Sequence, residues 1–246
     1  LTLLVFLLAL LTALATGLGA APFVFSRSPE DKWVGVSNAA AAGLMLAAGG
    51  GLVYEGAGYG LAAVLAGAVA GVASIAAVRR FLSLDEHPAV FAEMSGLDAR
   101  KGLLIVGVMT AHSLAEGVGV GVAFGGGAEL GVVIALAIAV HNVPEGLAIS
   151  LVLVPRGVGV GKAVLWSIFS SLPQPLMAVP AFVFVEAFRT LMPYGLGFAA
   201  GAMVWMVFAE LLPDARRYAP GRVVVVAAVA SVAAMSAFQL LLSWLR

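Results

Sequence analysis

Two of the three histidines in this chain stand four residues ahead of a glutamate, in His112-Ser113-Leu-Ala-Glu116-Gly117 and His141-Asn142-Val-Pro144-Glu145-Gly146. On a helix, residues i and i+4 share a face about 6 Å apart along the axis, so each motif sets an imidazole beside a carboxylate. That donor set suits Zn, Fe, Mn or Ni better than Ca or Mg, which prefer shells made only of oxygen. The chain has no cysteine, which excludes a disulfide framework and a thiolate site. Any ion must then be held by His, carboxylate, amide or Met.

The surroundings of these motifs give them their weight. Of the 246 residues, 62% are hydrophobic and 11% are charged, with a mean hydropathy of +1.09. A soluble domain carries roughly a quarter charged residues, so this composition is that of an integral membrane protein in a lipid bilayer. Thirteen basic residues balance thirteen acidic ones, and no excess of positive charge points to nucleic acid. Eleven of the thirteen acidic residues lie in loops or at the edges of apolar blocks; Glu116 and Glu145 lie inside them. A carboxylate inside a bilayer costs several kcal/mol unless paired, which makes both a functional-site hypothesis. Two readings compete with a metal site: a fixed helix–helix tie and a proton relay without metal.

Charged residues divide the chain into eight apolar blocks, near 1–25, 33–54, 56–78, 102–128, 130–155, 163–185, 190–209 and 223–245. Each meets the ~20 residues that a helix needs to cross the hydrocarbon. None has the polar face of a surface helix or the period-two alternation of a membrane barrel strand, so the predicted class is all-α with eight transmembrane helices. The first block lacks a basic start and a cleavage site, and is read as a helix of the mature protein. Eleven of the thirteen Lys and Arg residues fall in the loops after helices one, three, five and seven, including the 79–101 loop; Arg189 and Arg246 fall on the other side. By the positive-inside rule both termini face outward or lumenally, and the 79–101 loop faces the cytosol.

These helices would bring the two motifs to one depth. At 1.5 Å per residue from the block centres, His112 lies roughly 4 Å inward of the midplane and Glu116 roughly 1 Å outward. In the antiparallel fifth helix His141 lies roughly 2 Å outward and Glu145 roughly 4 Å inward. The motifs therefore cross, His112 level with Glu145 and Glu116 level with His141. Asn142 can add an amide oxygen, and Pro144 removes a backbone hydrogen bond beside the motif. Gln174 sits between Pro173 and Pro175 near the centre of the sixth block, which implies a polar cavity. Met45 offers a thioether but, taken alone, reads as core. Gly117 and Gly146 follow the two glutamates; with Gly121 and Gly125, one turn apart, Gly117 lets the fourth helix pack closely on a neighbour. His87, in Asp85-Glu86-His87-Pro88, reads as part of a solvated charge cluster in the inner loop.

The His–Glu motif recurs on consecutive helices, and Ala41-Ala-Gly-Leu-Met45 recurs as Ala199-Ala-Gly-Ala-Met203 in the seventh. Members of each pair run in opposite directions, the footprint of an inverted repeat of the kind transporters use to build a midplane site.

Together with the stretch from Phe198-Ala-Ala-Gly-Ala-Met203 to Glu210-Leu-Leu-Pro213-Asp214, these motifs resemble the ZIP (Zrt/Irt-like) divalent metal transporters, most closely the GufA-like branch. The resemblance implies one transmembrane domain over 1–246 with its helices arranged three, two and three. It implies a carrier, not an enzyme, with no catalytic cofactor, that moves zinc, or iron or manganese, toward the cytosol. It implies a two-metal centre between the fourth and fifth helices, with His112, Glu116, His141 and Glu145 as primary ligands, Asn142 and Glu145 facing the second ion, and Met45 close by. Two positions depart from the family pattern: Ser113 replaces a usual Asn, and Gln174 replaces the Glu that many GufA-like members carry. Both weaken a second site, so one tightly held cation, or a second ion held loosely, is expected. Two other function classes stay open, an intramembrane zinc hydrolase and a proton or solute channel, and assembly is open too, a homodimer included.

Overall fold

The computed structural model describes residues 1–25, 30–84 and 97–244. The cluster around His87, as well as Arg27 and Arg246, lies outside the described residues. Within them every regular element is helical. Helix α1, Thr2–Gly17, tightens into a 3₁₀ segment over Leu18–Val24. There follow α2 (Asp31–Leu84), α3 (Leu97–Gly125), α4 (Ala128–Leu153), α5 (Val160–Ser171) and α6 (Pro173–Ala187). Helix α7, Met192–Met206, runs through a π-turn at Val207–Leu211 into α8, Leu212–Tyr218, and α9, Gly221–Trp244, closes the described chain. The fourth and fifth apolar blocks are thus α3 and α4.

Seven helical stretches among the described residues are long and apolar enough to cross a membrane. One of them, Asp31–Phe81, has 51 residues. Its helix is broken at Gly60, whose φ of 151° and ψ of 103° no helix contains and which a residue with a Cβ rarely adopts. The chain doubles back there: a Cβ on Gly56 would lie 2.7 Å from the Val64 side chain, although a straight helix would hold the two about 12 Å apart. Both arms then pack on α7. Gly49 on the first arm faces Met203, while Gly67 and Gly71 on the second let the carbonyls of Tyr194 and Phe198 come as close as 2.1 Å to where a Cβ would stand.

Element ends differ from the block edges wherever a charge or a proline misleads. The break after the second block falls at Gly60 and not at Glu55. The sixth block is two helices joined at Leu172, because Pro173 and Pro175 have no N–H to give the carbonyls of Phe169 and Ser171; the Leu172 N–H takes Phe169 O instead, at 3.2 Å. The seventh helix runs on past Glu210 because that carboxylate meets Arg79 Nε at 2.6 Å, and the Arg79 guanidinium lies 5.8 Å from the centre of the Trp205 ring.

Burial orders the bundle. The apolar windows of α3 and α4 are 72% and 61% buried, whereas that of α9 is 11% buried. The helices that carry the His–Glu motifs are therefore the inner ones, and α9 lies on the rim.

Candidate metal centre

Two glycine-mediated crossings assemble the centre. At the first, α1 meets α4: a Cβ on Gly146 would stand 1.7 Å from Thr16 O, and one on Gly19 would stand 2.4 Å from Val143 O. The backbones therefore touch, and one turn away the Asn142 Nδ2 donates to Thr12 O at 2.8 Å. At the second, α3 meets α6, and Gly117, Gly121 and Gly125 lie against Gln174, Ala178 and Val185. Gly117 is next to Glu116, so the approach brings the Gln174 amide to that carboxylate.

Between these crossings the structure gathers His112, Glu116 and Glu145, each with a ligand atom within 4.8 Å of the others. All three are at most 1% exposed. His112 Nε2 lies 3.2 Å from Glu116 Oε1, and His141 Nε2 lies 2.5 Å from the same oxygen. A carboxylate accepts only, so His141 gives its Nε2 proton to Glu116. His141 is thus set against Glu116 from α4 and is not one of the three converging groups. Gln174 Nε2 donates to Glu116 Oε2, and Gln174 Oε1 accepts from Asn142 Nδ2 at 3.1 Å and from the Thr12 hydroxyl.

What is left unpaired matters as much. Among the described residues both oxygens of Glu145, Nδ1 of His112, Nδ1 of His141 and Oδ1 of Asn142 are buried with no hydrogen-bond partner. An ionised carboxylate or a ring nitrogen in that state costs several kcal/mol. Lone pairs converging without partners are what a cation replaces, and a tetrahedral ion with bonds near 2.0–2.1 Å needs ligand atoms only about 3.3 Å apart. The donor set fits such an ion after a small contraction.

The remaining sequence candidates take different places. Ser113 is buried, and its Oγ has no hydrogen-bond partner among the described residues. Met45 is 1% exposed in the main apolar core. Pro144 lies within α4, which runs through it without ending. Thr12, Thr16 and Ser171 escaped the sequence reading. Thr12 and Thr16 stand at i and i+4 on α1, whose other polar residue is Thr2 at its start, and Thr16 Oγ1 lies 2.8 Å from Ser171 Oγ; that paired spacing was the only signal of the two threonines.

Comparison with known proteins agrees on one family. The model described as ZIP zinc transporter matches residues 83–241. An Arabidopsis thaliana protein named as a candidate zinc transporter is 48% identical over 96% of this chain. The zinc transporter GufA of Myxococcus xanthus is 31% identical over 50% of it, and the zinc transporter ZupT of Clostridium perfringens is 28% identical over 97%. The matched region is 38% of the plant protein and 48% of GufA, but 96% of ZupT.

Proposed function

We propose, from the premise that the chain belongs to the ZIP zinc transporter family, that it carries divalent metal cations across a membrane, zinc foremost, toward the cytosol. The observation that supports this most directly is the Glu145 carboxylate, 1% exposed and without a hydrogen-bond partner among the described residues, facing His112 and Glu116. The family is one of transporters, and a pair of near-identical motifs on antiparallel helices suits a carrier better than a hydrolase, which needs three fixed ligands, an open position and a separate base.

Two carboxylates neutralise a doubly charged ion, and imidazole and amide donors replace its water. Glu116 Oε1 and His112 Nε2 bind it from α3, and Glu145 and the free Asn142 Oδ1 bind it from α4. When the ion takes Glu116 Oε1, the bond from His141 is displaced, and His141 Nε2 becomes a further ligand once its proton has left. Release reverses the exchange: a proton returning to His141 lets the ring reclaim Glu116 Oε1. In this reading Ser113 and Met45 are accessory donors, and iron and manganese are alternative cargoes.

The same reading takes the protein as one multi-pass domain with eight crossings in a three–two–three inverted repeat and with both termini outside. Asp31–Phe81 supports it, since its 51 residues would measure about 76 Å as one helix against a hydrocarbon core of about 30 Å. Flux in proteoliposomes tests the function: Glu145→Ala and His112→Ala are each expected to reduce saturable zinc uptake at least tenfold. Unchanged uptake in both would remove this centre from the transport path.

A further inference from the structure

The hydrogen bonds around Glu116 have a polarity fixed from both ends. A main-chain carbonyl only accepts, so the Asn142 atom 2.8 Å from Thr12 O is the amide nitrogen. That nitrogen lies 3.1 Å from the Gln174 side chain, whose facing atom must then be oxygen. The Gln174 nitrogen is thereby turned onto Glu116 Oε2, again a pure acceptor. The Thr12 hydroxyl, whose single proton is shared with Ala9 O 2.7 Å away, gives the same Gln174 oxygen a second donor. Flipping either amide would set donor against donor or acceptor against acceptor. All four side chains are at most 1% exposed, so no solvent relieves a mismatch.

We infer that Thr12 is a positioning residue of the cation site: through Asn142 and Gln174 it ties up Oε2 of Glu116, so that this carboxylate offers one oxygen and the site holds a single ion. A carboxylate that bridges two ions gives one oxygen to each. Oε1 is the Glu116 oxygen that faces the His112 ring, 3.2 Å away, whereas Oε2 is turned to the Gln174 N–H. The relay also orients Asn142 so that its Oδ1, buried and unpartnered, is left for the ion, three residues before Glu145. This rests on the reading of His112, Glu116 and Glu145 as the cation site.

Substitutions at two positions address the relay without touching those three residues. Gln174→Glu exchanges the donor for an acceptor, so Glu116 Oε2 loses its partner and a new carboxylate stands beside it. Thr12→Val keeps the volume and the main-chain carbonyl but removes the hydroxyl, and Thr12→Ser restores the hydroxyl. Equilibrium dialysis of zinc against the purified full chain in detergent reads both stoichiometry and affinity. Expected are one ion per chain in the wild type and two in Gln174→Glu. Thr12→Val is expected to bind one ion about fivefold more weakly, the loss of one hydrogen bond, with Thr12→Ser near wild type. Two equally tight ions in the wild type, one ion in Gln174→Glu, or unaltered affinity in Thr12→Val would overturn the inference. Glu145→Ala separates the two failures. If it abolishes binding while Gln174→Glu still takes one ion, the relay is wrong and the site stands; if it leaves wild-type binding intact, the site itself is wrong.

Discussion

Glu116 and Glu145 are equally buried but differently held. Glu116 receives hydrogen bonds from His141 and Gln174, whereas Glu145 has no partner among the described residues. Without metal, replacing Glu145 breaks no hydrogen bond among the described residues, and neutralising Glu116 strands its donors. Glu145→Gln is therefore expected to melt, zinc-free, at or above the wild-type temperature, and Glu116→Gln to lose about 1–3 kcal/mol. Adding zinc at a hundredfold over its Kd would stabilise the wild type by about 2.7 kcal/mol and neither variant appreciably. A thermal melt with and without zinc checks both; a zinc-free Glu145→Gln less stable than Glu116→Gln would contradict the assignment. The two glutamates were legible in the sequence because charge is scarce in the apolar blocks. Thr12 was not, since a threonine in an apolar helix ordinarily turns its hydroxyl to its own preceding turn, and Thr12 Oγ1 does lie 2.7 Å from Ala9 O. Only the three-dimensional crossing adds Gln174 to its reach.

That crossing belongs to the elements, and small residues set it. Gly146 sits where α1 touches α4, with Thr16 O 1.7 Å from the position of a Cβ, and Gly117 sits where α3 touches α6, with Gln174 O 2.5 Å away. Both clashes are with backbone, which cannot rotate aside as a side chain can. Gly146→Ala is expected to push α1 outward, to cost about 1–3 kcal/mol of stability and to break the Asn142–Thr12 bond one turn away. Gly159→Ala, with nothing within 4 Å of its added methyl, is the control and should be neutral. Thermal stability and zinc affinity measured together check this; a Gly146→Ala protein of wild-type affinity would show that the crossing does not tune the site. The helices themselves were readable from the apolar blocks, but their ends were less so. A charge does not by itself mark a helix edge: the seventh helix passes Glu210, which meets Arg79. Proline inside a block was no surer guide: the missing N–H groups of Pro173 and Pro175 divide α5 from α6, but α4 runs through Pro144 and α6 through Pro180.

At the scale of the whole molecule the open quantity is the number of crossings, because apolar length alone counts Asp31–Phe81 as one stretch while Gly60 folds it into two arms. The two counts predict different sidedness. With eight crossings, the Gly60 turn and the α6–α7 connection lie on the outer face, and the α4–α5 and α8–α9 connections lie on the inner face. With seven, the residues around Gly60 would sit at the middle of a span. The absence of cysteine makes the experiment direct, since each introduced thiol is the only one present. Tyr59 is 58% exposed, and Thr190, Gly159 and Arg216 are exposed as well. In sealed vesicles of right-side-out orientation, Tyr59→Cys and Thr190→Cys are expected to react with a membrane-impermeant maleimide, while Gly159→Cys and Arg216→Cys react only after permeabilisation. A Tyr59→Cys thiol that stays unreactive in both conditions would place that residue in lipid and reduce the count to seven. Labelling of Tyr59→Cys on the same side as Gly159→Cys would contradict the eight-crossing arrangement, because the three helices between them, the second arm of α2, α3 and α4, require opposite sides.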